Sequence, residues 1–171
     1  MNRPAASPTK STLAKRRAFI AVLAALPFAR ARAEPSRADP YLVARIARRY
    51  RVEPSAVERV IGLAEKHFPA DPLLLLAIIG VESSWRPWAV GTVGEVGLCQ
   101  VRPELHGASA TELADPTINV RVAARVLRGC LKRSRGDFAG AVARYNGRGE
   151  PAELYAVRVL AERDQLLMPE A

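Results

Sequence analysis

Asp71-Pro72-Leu73-Leu74-Leu75-Leu76-Ala77-Ile78-Ile79-Gly80-Val81-Glu82-Ser83 is the stretch that decides the fold. Asp71 is a capping side chain, and Pro72 takes the first helical position, where a missing N–H costs nothing. The run that follows predicts a helix from Leu73 to about Ser83 that is apolar nearly all round. A helix of that kind has no face for solvent, so it belongs at the centre of the molecule. One carboxyl group, Glu82, falls in its last turn. There the negative end of the helix dipole disfavours a further negative charge, and apolar neighbours penalise the ionised acid. Such an acid can hold a proton near neutral pH and hand it to a leaving group, the chemistry of glycosidic-bond cleavage.

Working outward, helix signals recur and strand signals are almost absent. Asp39-Pro40 opens an amphipathic stretch, Tyr41 to Tyr50, with Leu42 and Ile46 inward. Glu53-Pro54-Ser55 opens a second, with Val57, Val60, Ile61 and Ala64 on one face and Pro69 as its stop. Gly91, Gly94 and Gly97 mark a turn-rich loop, and a short helix is expected at Leu98 to Val101, ended by Pro103. Asp115-Pro116 repeats the start signal for a long helix to about Arg133, lined by Ile118, Val122, Val126 and Leu127. The basic run Arg121, Arg125, Arg128, Lys132, Arg133 and Arg135 reads as a solvated face, with contact to an anionic wall polymer or a partner as the alternative. Phe138 to Tyr145 forms a further helix. A last one, about Ala152 to Leu167, is expected to turn Leu154, Val157, Leu160 and Ala161 inward. The fold class is a small all-α globule.

The first residues read as an export signal. Arg3, Lys10, Lys15, Arg16 and Arg17 precede an apolar run from Ala18 to Ala29, then small-residue cleavage patterns at Ala29-Arg30-Ala31 and Ala31-Arg32-Ala33. That run is shorter than the roughly 20 apolar residues a membrane-spanning helix needs. Arg16-Arg17 also resembles a twin-arginine signal, though Ala21 departs from it; the export route stays open between the two. Seven of the 26 Lys and Arg lie in the first 33 residues, and none of the 17 Asp and Glu, so the remainder carries a net charge near +2. A nucleic-acid-binding domain needs a basic surface of its own; this chain's excess charge sits mostly in the signal. No nucleic-acid partner and no membrane span after signal removal are expected, and the location implied is the periplasm.

Cys99 and Cys130 would meet an oxidising compartment there, and a single disulfide between them is the expectation. It would close a loop of about 30 residues and contribute about 3–4 kcal/mol. Two buried free thiols are the alternative. Neither the cysteine spacing nor the two histidines, His67 and His106, suggest a metal site, and no cofactor is expected.

Four segments together resemble the soluble lytic transglycosylases, a lysozyme-like family. Glu82-Ser83-Ser84-Trp85-Arg86-Pro87-Trp88-Ala89-Val90 is similar to their Glu-Ser-x-aromatic-x-Pro-x-Ala segment, and Gly94-Glu95-Val96-Gly97-Leu98-Cys99-Gln100-Val101 to their Gly-Leu-Met-Gln segment. Asp115-Pro116 with Asn119-Val120 matches Asp-Pro-x-x-Asn-Ile, and Ala141 to Gly147 resembles the segment carrying Tyr-Asn. The order is right across about Leu73 to Leu160. The resemblance implies an α-helical, goose-type-lysozyme-like domain that cuts the β-1,4 bond between N-acetylmuramic acid and N-acetylglucosamine in peptidoglycan. It divides the chain into an export signal, 1–33, an N-terminal helical part, 34–70, and a catalytic domain, 71–168.

By that resemblance Glu82 is the catalytic residue, first acid and then base, and the product is a 1,6-anhydro sugar formed without a second catalytic carboxylate. Ser83 would hydrogen-bond near the acid, Gln100 would offer its amide to the sugar, and Tyr145 would reach the acid or the bound muramic acid. Asn146 would hold the loop, and Trp88 and Trp85 would form apolar walls, with a core role the equal alternative for Trp85. Many relatives have serine where this chain has Gly91, so the substrate-positioning hydroxyl is shifted to Thr92 or absent. Cys99 stands where methionine is usual. Glu95 and Glu104 read as surface acids, with substrate orientation as the alternative. Two rival functions remain: a muramidase that cuts the same bond with water, and a non-catalytic wall-binding scaffold at a secretion or conjugation apparatus.

Overall fold

The computed structural model describes residues 39–168, so the expected export signal lies outside the described residues. Eight helices follow in order: α1 Pro40–Tyr50, α2 Pro54–His67, α3 Pro72–Ser83, α4 Pro103–His106, α5 Ala110–Leu113, α6 Pro116–Arg133, α7 Phe138–Asn146 and α8 Glu150–Leu167. Proline stands at the first or second position of six of them, α1, α2, α3, α4, α6 and α8. The Asp-Pro pairs act as read. Asp39, Asp71 and Asp115 each accept a first-turn backbone N–H, at 3.0 Å, 3.0 Å and 2.7 Å.

α3 is the central helix, buried from Pro72 through Gly80. It packs against α2 on one side and α8 on the other, while α6 closes on α2 and α7. Leu42 and Ile46 of α1 and Val57, Ile61 and Ala64 of α2 join the same core, so residues of the 34–70 segment are packed into the core of the rest. Two polar contacts pin α8 in place. Glu162, almost fully buried on α8, accepts the Tyr50 hydroxyl at 2.5 Å and pairs with Arg49 at 2.5 Å. Arg163 pairs with the capping Asp71 at 2.8 Å, tying α8 to the start of α3. Gly80 permits the Tyr50 approach, since a Cβ there would lie 2.4 Å from the phenol oxygen. Among the described residues no helix is long and apolar enough to cross a membrane.

Three expectations are corrected. Leu98 to Val101 is not a helix but a turn held by isolated bridges, Val96 with Val90 and Val96 with Val101. Left-handed backbone at Gly94, Gly97 and Gln100 prevents a helical run there, and Pro103 starts α4 instead of ending an element. The polar connection beyond it holds α5, closed by a capping box between Ser109 and Glu112. The phase of α8 is also different. Leu154 and Val157 are exposed, and the buried face is Ala152, Tyr155, Ala156, Val159, Glu162 and Leu166.

The third correction concerns the cysteines. Both are buried free thiols, and no disulfide joins them. Cys99 is fully enclosed and Cys130 nearly so, each filling core space as a small apolar group. Cys130 Sγ lies 3.3 Å from an Arg133 guanidinium nitrogen.

Candidate active site

Where α3 ends, the chain reverses sharply. Ser84 and Trp85 take left-handed backbone, φ 51° and 63°. This turn lifts the chain off the central helix and leaves Glu82 facing a groove of about 610 Å³. Glu82, Thr92, Glu95, Gln100, Tyr145 and Asn146 line it. They come from α3, the 89–101 loop and the end of α7, so residues far apart in the chain meet at one cleft.

Asn119 on α6 holds the loop in this shape. Fully buried, it accepts the Cys99 N–H at 2.8 Å through Oδ1 and donates through Nδ2 to the carbonyls of Val96 and Leu113, at 2.8 and 2.9 Å. An amide is the side chain that can accept from one strand of the loop while donating to another. Gly97 lies against it with φ 82°, and a Cβ there would come within 2.3 Å of Asn119 Nδ2. The Asn of the Asp-Pro-x-x-Asn segment is thus a staple for the loop that carries Gln100.

Glu82 is the electrostatic centre of the groove. Burial pushes its carboxyl up from an ordinary 4.5 to about 7. The Tyr155 hydroxyl, donating to Glu82 Oε1 at 2.7 Å, opposes that rise, as does the positive charge of Arg158, while the negative charge of Glu95 adds to it. A carboxyl held near 7 is divided between acid and carboxylate at neutral pH, which suits a group that must give a proton and take one back.

The other expected site residues fare differently. Ser83 is buried and its hydroxyl donates to the Ile79 carbonyl one turn back, at 3.2 Å, instead of reaching the acid. Gln100 lines the groove, but its amide nitrogen is spent on the carbonyls of Gly97 and Ala89, at 2.9 and 3.1 Å. Tyr145 also lines the groove, yet its hydroxyl donates to the Cys99 carbonyl at 2.9 Å and not to Glu82. Trp88 is 74 % exposed and lies outside the groove lining, while Trp85 is in the core against Tyr50. Thr92 and Asn146 are at the groove wall.

Tyr155 is the residue the sequence reading missed. It is the phenol that touches the acid, and it is buried at 2 % exposure between α8 and the end of α3. Its signal was present, since Ala152, Tyr155, Ala156 and Val159 recur at helical spacing; the competing stripe through Leu154 and Val157 hid it. Arg133 of α6 and Arg144 of α7 also line the groove.

A family pattern described as the transglycosylase SLT domain matches residues 59–156, from the middle of α2 into α8. The chain belongs to that family. Its fold is accordingly the lysozyme-like all-α globule, and the matched span contains every groove-lining residue named above. A transglycosylase of Enterobacteria phage PRD1 is 35 % identical over 88 residues, covering 51 % of this chain and 33 % of the phage protein. The chain therefore matches about a third of that relative's length.

Proposed function

We propose that this chain is an exported peptidoglycan lytic transglycosylase in which Glu82 serves first as acid and then as base. The observation that carries the reading is the position of Glu82. It lies at the end of a buried helix, opens into a groove, is raised to about 7 by burial, and is held by a phenol at 2.7 Å. Membership in the transglycosylase SLT domain family supplies the substrate class, a glycan strand of the bacterial wall.

In this mechanism Glu82 gives its proton to the glycosidic oxygen as the bond from that oxygen to C1 of muramic acid breaks. The acetamido oxygen of the same sugar bonds to C1 and carries the positive charge, a substrate-assisted alternative to a second carboxylate. Glu82, now ionised and steadied by Tyr155, takes the proton of the C6 hydroxyl. That oxygen closes on C1 as the acetamido oxygen leaves, giving the 1,6-anhydro sugar with no water consumed. Gln100 and Tyr145 act mainly by shaping the groove, since their donors are already engaged. Export to the periplasm rests on the basic and apolar N-terminal sequence.

One observation favours a second reading. Glu95 places another carboxylate in the same groove, and a paired acid is what a muramidase uses to activate water. Digestion of purified sacculi separates the two by mass: lytic products are one water lighter at the muramic end than hydrolytic ones. The same digestion with Glu82→Gln should release no muropeptides. Undiminished release by that variant would remove Glu82 from the catalytic role, whereas no release by the unaltered chain, with wall binding intact, would replace the enzyme reading by a scaffold.

A further inference from the structure

Beside the groove of Glu82 lies a second cavity, of about 450 Å³, formed by α7, the 147–149 turn and the start of α8. Its walls are glycine and alanine apart from three charged side chains, Arg144, Arg148 and Glu153. Arg144 and Gly147 line both this cavity and the groove, so the two meet at that wall. A Cβ built on Gly147 would meet no heavy atom within 4 Å, so the chain leaves open space where they meet. The charges are uncommitted. Arg144 Nε donates to Ser134 Oγ at 3.1 Å, which anchors the guanidinium and leaves its two terminal nitrogens without a partner among the described residues. Among the same residues the Arg148 and Glu153 side chains have no ion pair, although they line one cavity.

Two guanidiniums and one carboxylate around one cavity complement a zwitterion: a ligand carboxylate for the arginines and a ligand ammonium for the glutamate. A wall glycan carries such a group. Muramic acid bears a short peptide on its lactyl ether, and where that peptide contains a diamino dicarboxylic acid, the far end of this residue holds an ammonium and a carboxylate on one carbon. Cross-linking turns the ammonium into an amide and removes its charge. We propose that the peptide of the muramic acid bound at Glu82 leaves the groove past Gly147 and enters the second cavity. There Arg144 and Arg148 take the free carboxylate of its diamino acid, and Glu153 takes the free ammonium. This rests on the groove being a peptidoglycan site, and it makes uncrosslinked, peptide-bearing strands the preferred substrate. The contacts lie away from the bond that breaks and stay the same throughout cleavage, so they lower KM and leave kcat alone.

The test is digestion of three soluble substrates by the full chain: uncrosslinked peptide-bearing strands, the same strands with their free amines acetylated, and strands stripped of peptide by an amidase. On the untreated strands Arg144→Gln and Arg148→Gln should each raise KM about threefold to fivefold with kcat unchanged, the worth of an exposed charged contact. On stripped strands both should match wild type. Glu153→Gln should raise KM about threefold on untreated strands and match wild type on acetylated ones, where the ammonium is gone. Arg59→Gln, at an exposed α2 arginine outside both cavities, controls for overall charge and should change nothing. Melting temperatures check that each variant folds. Losses that persist on stripped strands, a wild-type KM that stripping leaves unchanged, or an Arg59→Gln loss equal to that of Arg148→Gln would overturn the inference and leave the enzyme reading intact. A wild-type chain that cleaves none of the three substrates would sink both.

Discussion

Glu82→Gln should make the folded protein more stable at pH 8 and leave its stability at pH 4 almost unchanged. Burial lifts the Glu82 carboxyl from 4.5 to about 7, so the folded state prefers the protonated acid. The sign follows from linkage: stability attached to this group is fully present below 4.5 and is lost as pH rises through about 7, because the unfolded chain ionises first. At about 1.4 kcal/mol per pH unit, that interval corresponds to a ceiling of about 3 kcal/mol, and the groove's solvent access reduces it to about 2–3. Glutamine cannot ionise, nearly preserves the volume and still accepts the Tyr155 hydroxyl. Urea unfolding of both proteins at intervals from pH 4 to 9 should therefore show a gap that opens between about 4.5 and 7 and then stays flat. At pH 8 it should amount to about 10 °C in Tm. A gap independent of pH, or a variant less stable than wild type at pH 8, would refute the claim that burial destabilises this carboxylate.

Three further outcomes are expected. Tyr155→Phe removes the donor that favours ionised Glu82, so the high-pH limb of activity should move up by about one pH unit; a limb that stays or moves down contradicts the contact. Asn119→Ala strips three buried hydrogen bonds from the loop and should cost about 3–5 kcal/mol in urea unfolding, whereas a loss under about 1 kcal/mol would show that the loop holds without it. With both thiols free, dithiothreitol should leave the melting temperature unchanged, and the denatured, unreduced chain should react as a dithiol. A drop in melting temperature on reduction would instead reveal a bridge.

How much of this was legible in the sequence follows from what each residue's signal depends on. Helix starts were readable because Asp39-Pro40, Asp71-Pro72 and Asp115-Pro116 act through local chemistry, a carboxylate accepting first-turn N–H groups beside a proline that needs no partner. The central place of α3 was readable because a helix without a polar face has one environment open to it. The face of α8 was not, because Leu154 and Val157 are apolar yet exposed, while Glu162 is charged yet buried through Tyr50 and Arg49. That same ambiguity concealed Tyr155. Glu82 was legible from its burial and its companions, but the partners of Ser83, Gln100 and Tyr145 were not. A motif tells which side chains gather near one another; which carbonyl each donor takes is settled by the tertiary packing of the 89–101 loop. The disulfide expectation failed for a related reason: a compartment argument counts thiols, whereas pairing depends on where their side chains point.

The proposed chemistry requires one carboxyl group to be protonated at a pH where a solvent-exposed glutamate is ionised. Carbon-13 NMR titration of the chain labelled at glutamate side-chain carboxyls, with Glu82 assigned by its loss in Glu82→Gln, reads that property without substrate. A midpoint near 7 is the result predicted. A midpoint near 4.5, the ordinary value, would leave the groove without a proton donor at neutral pH and contradict the mechanism.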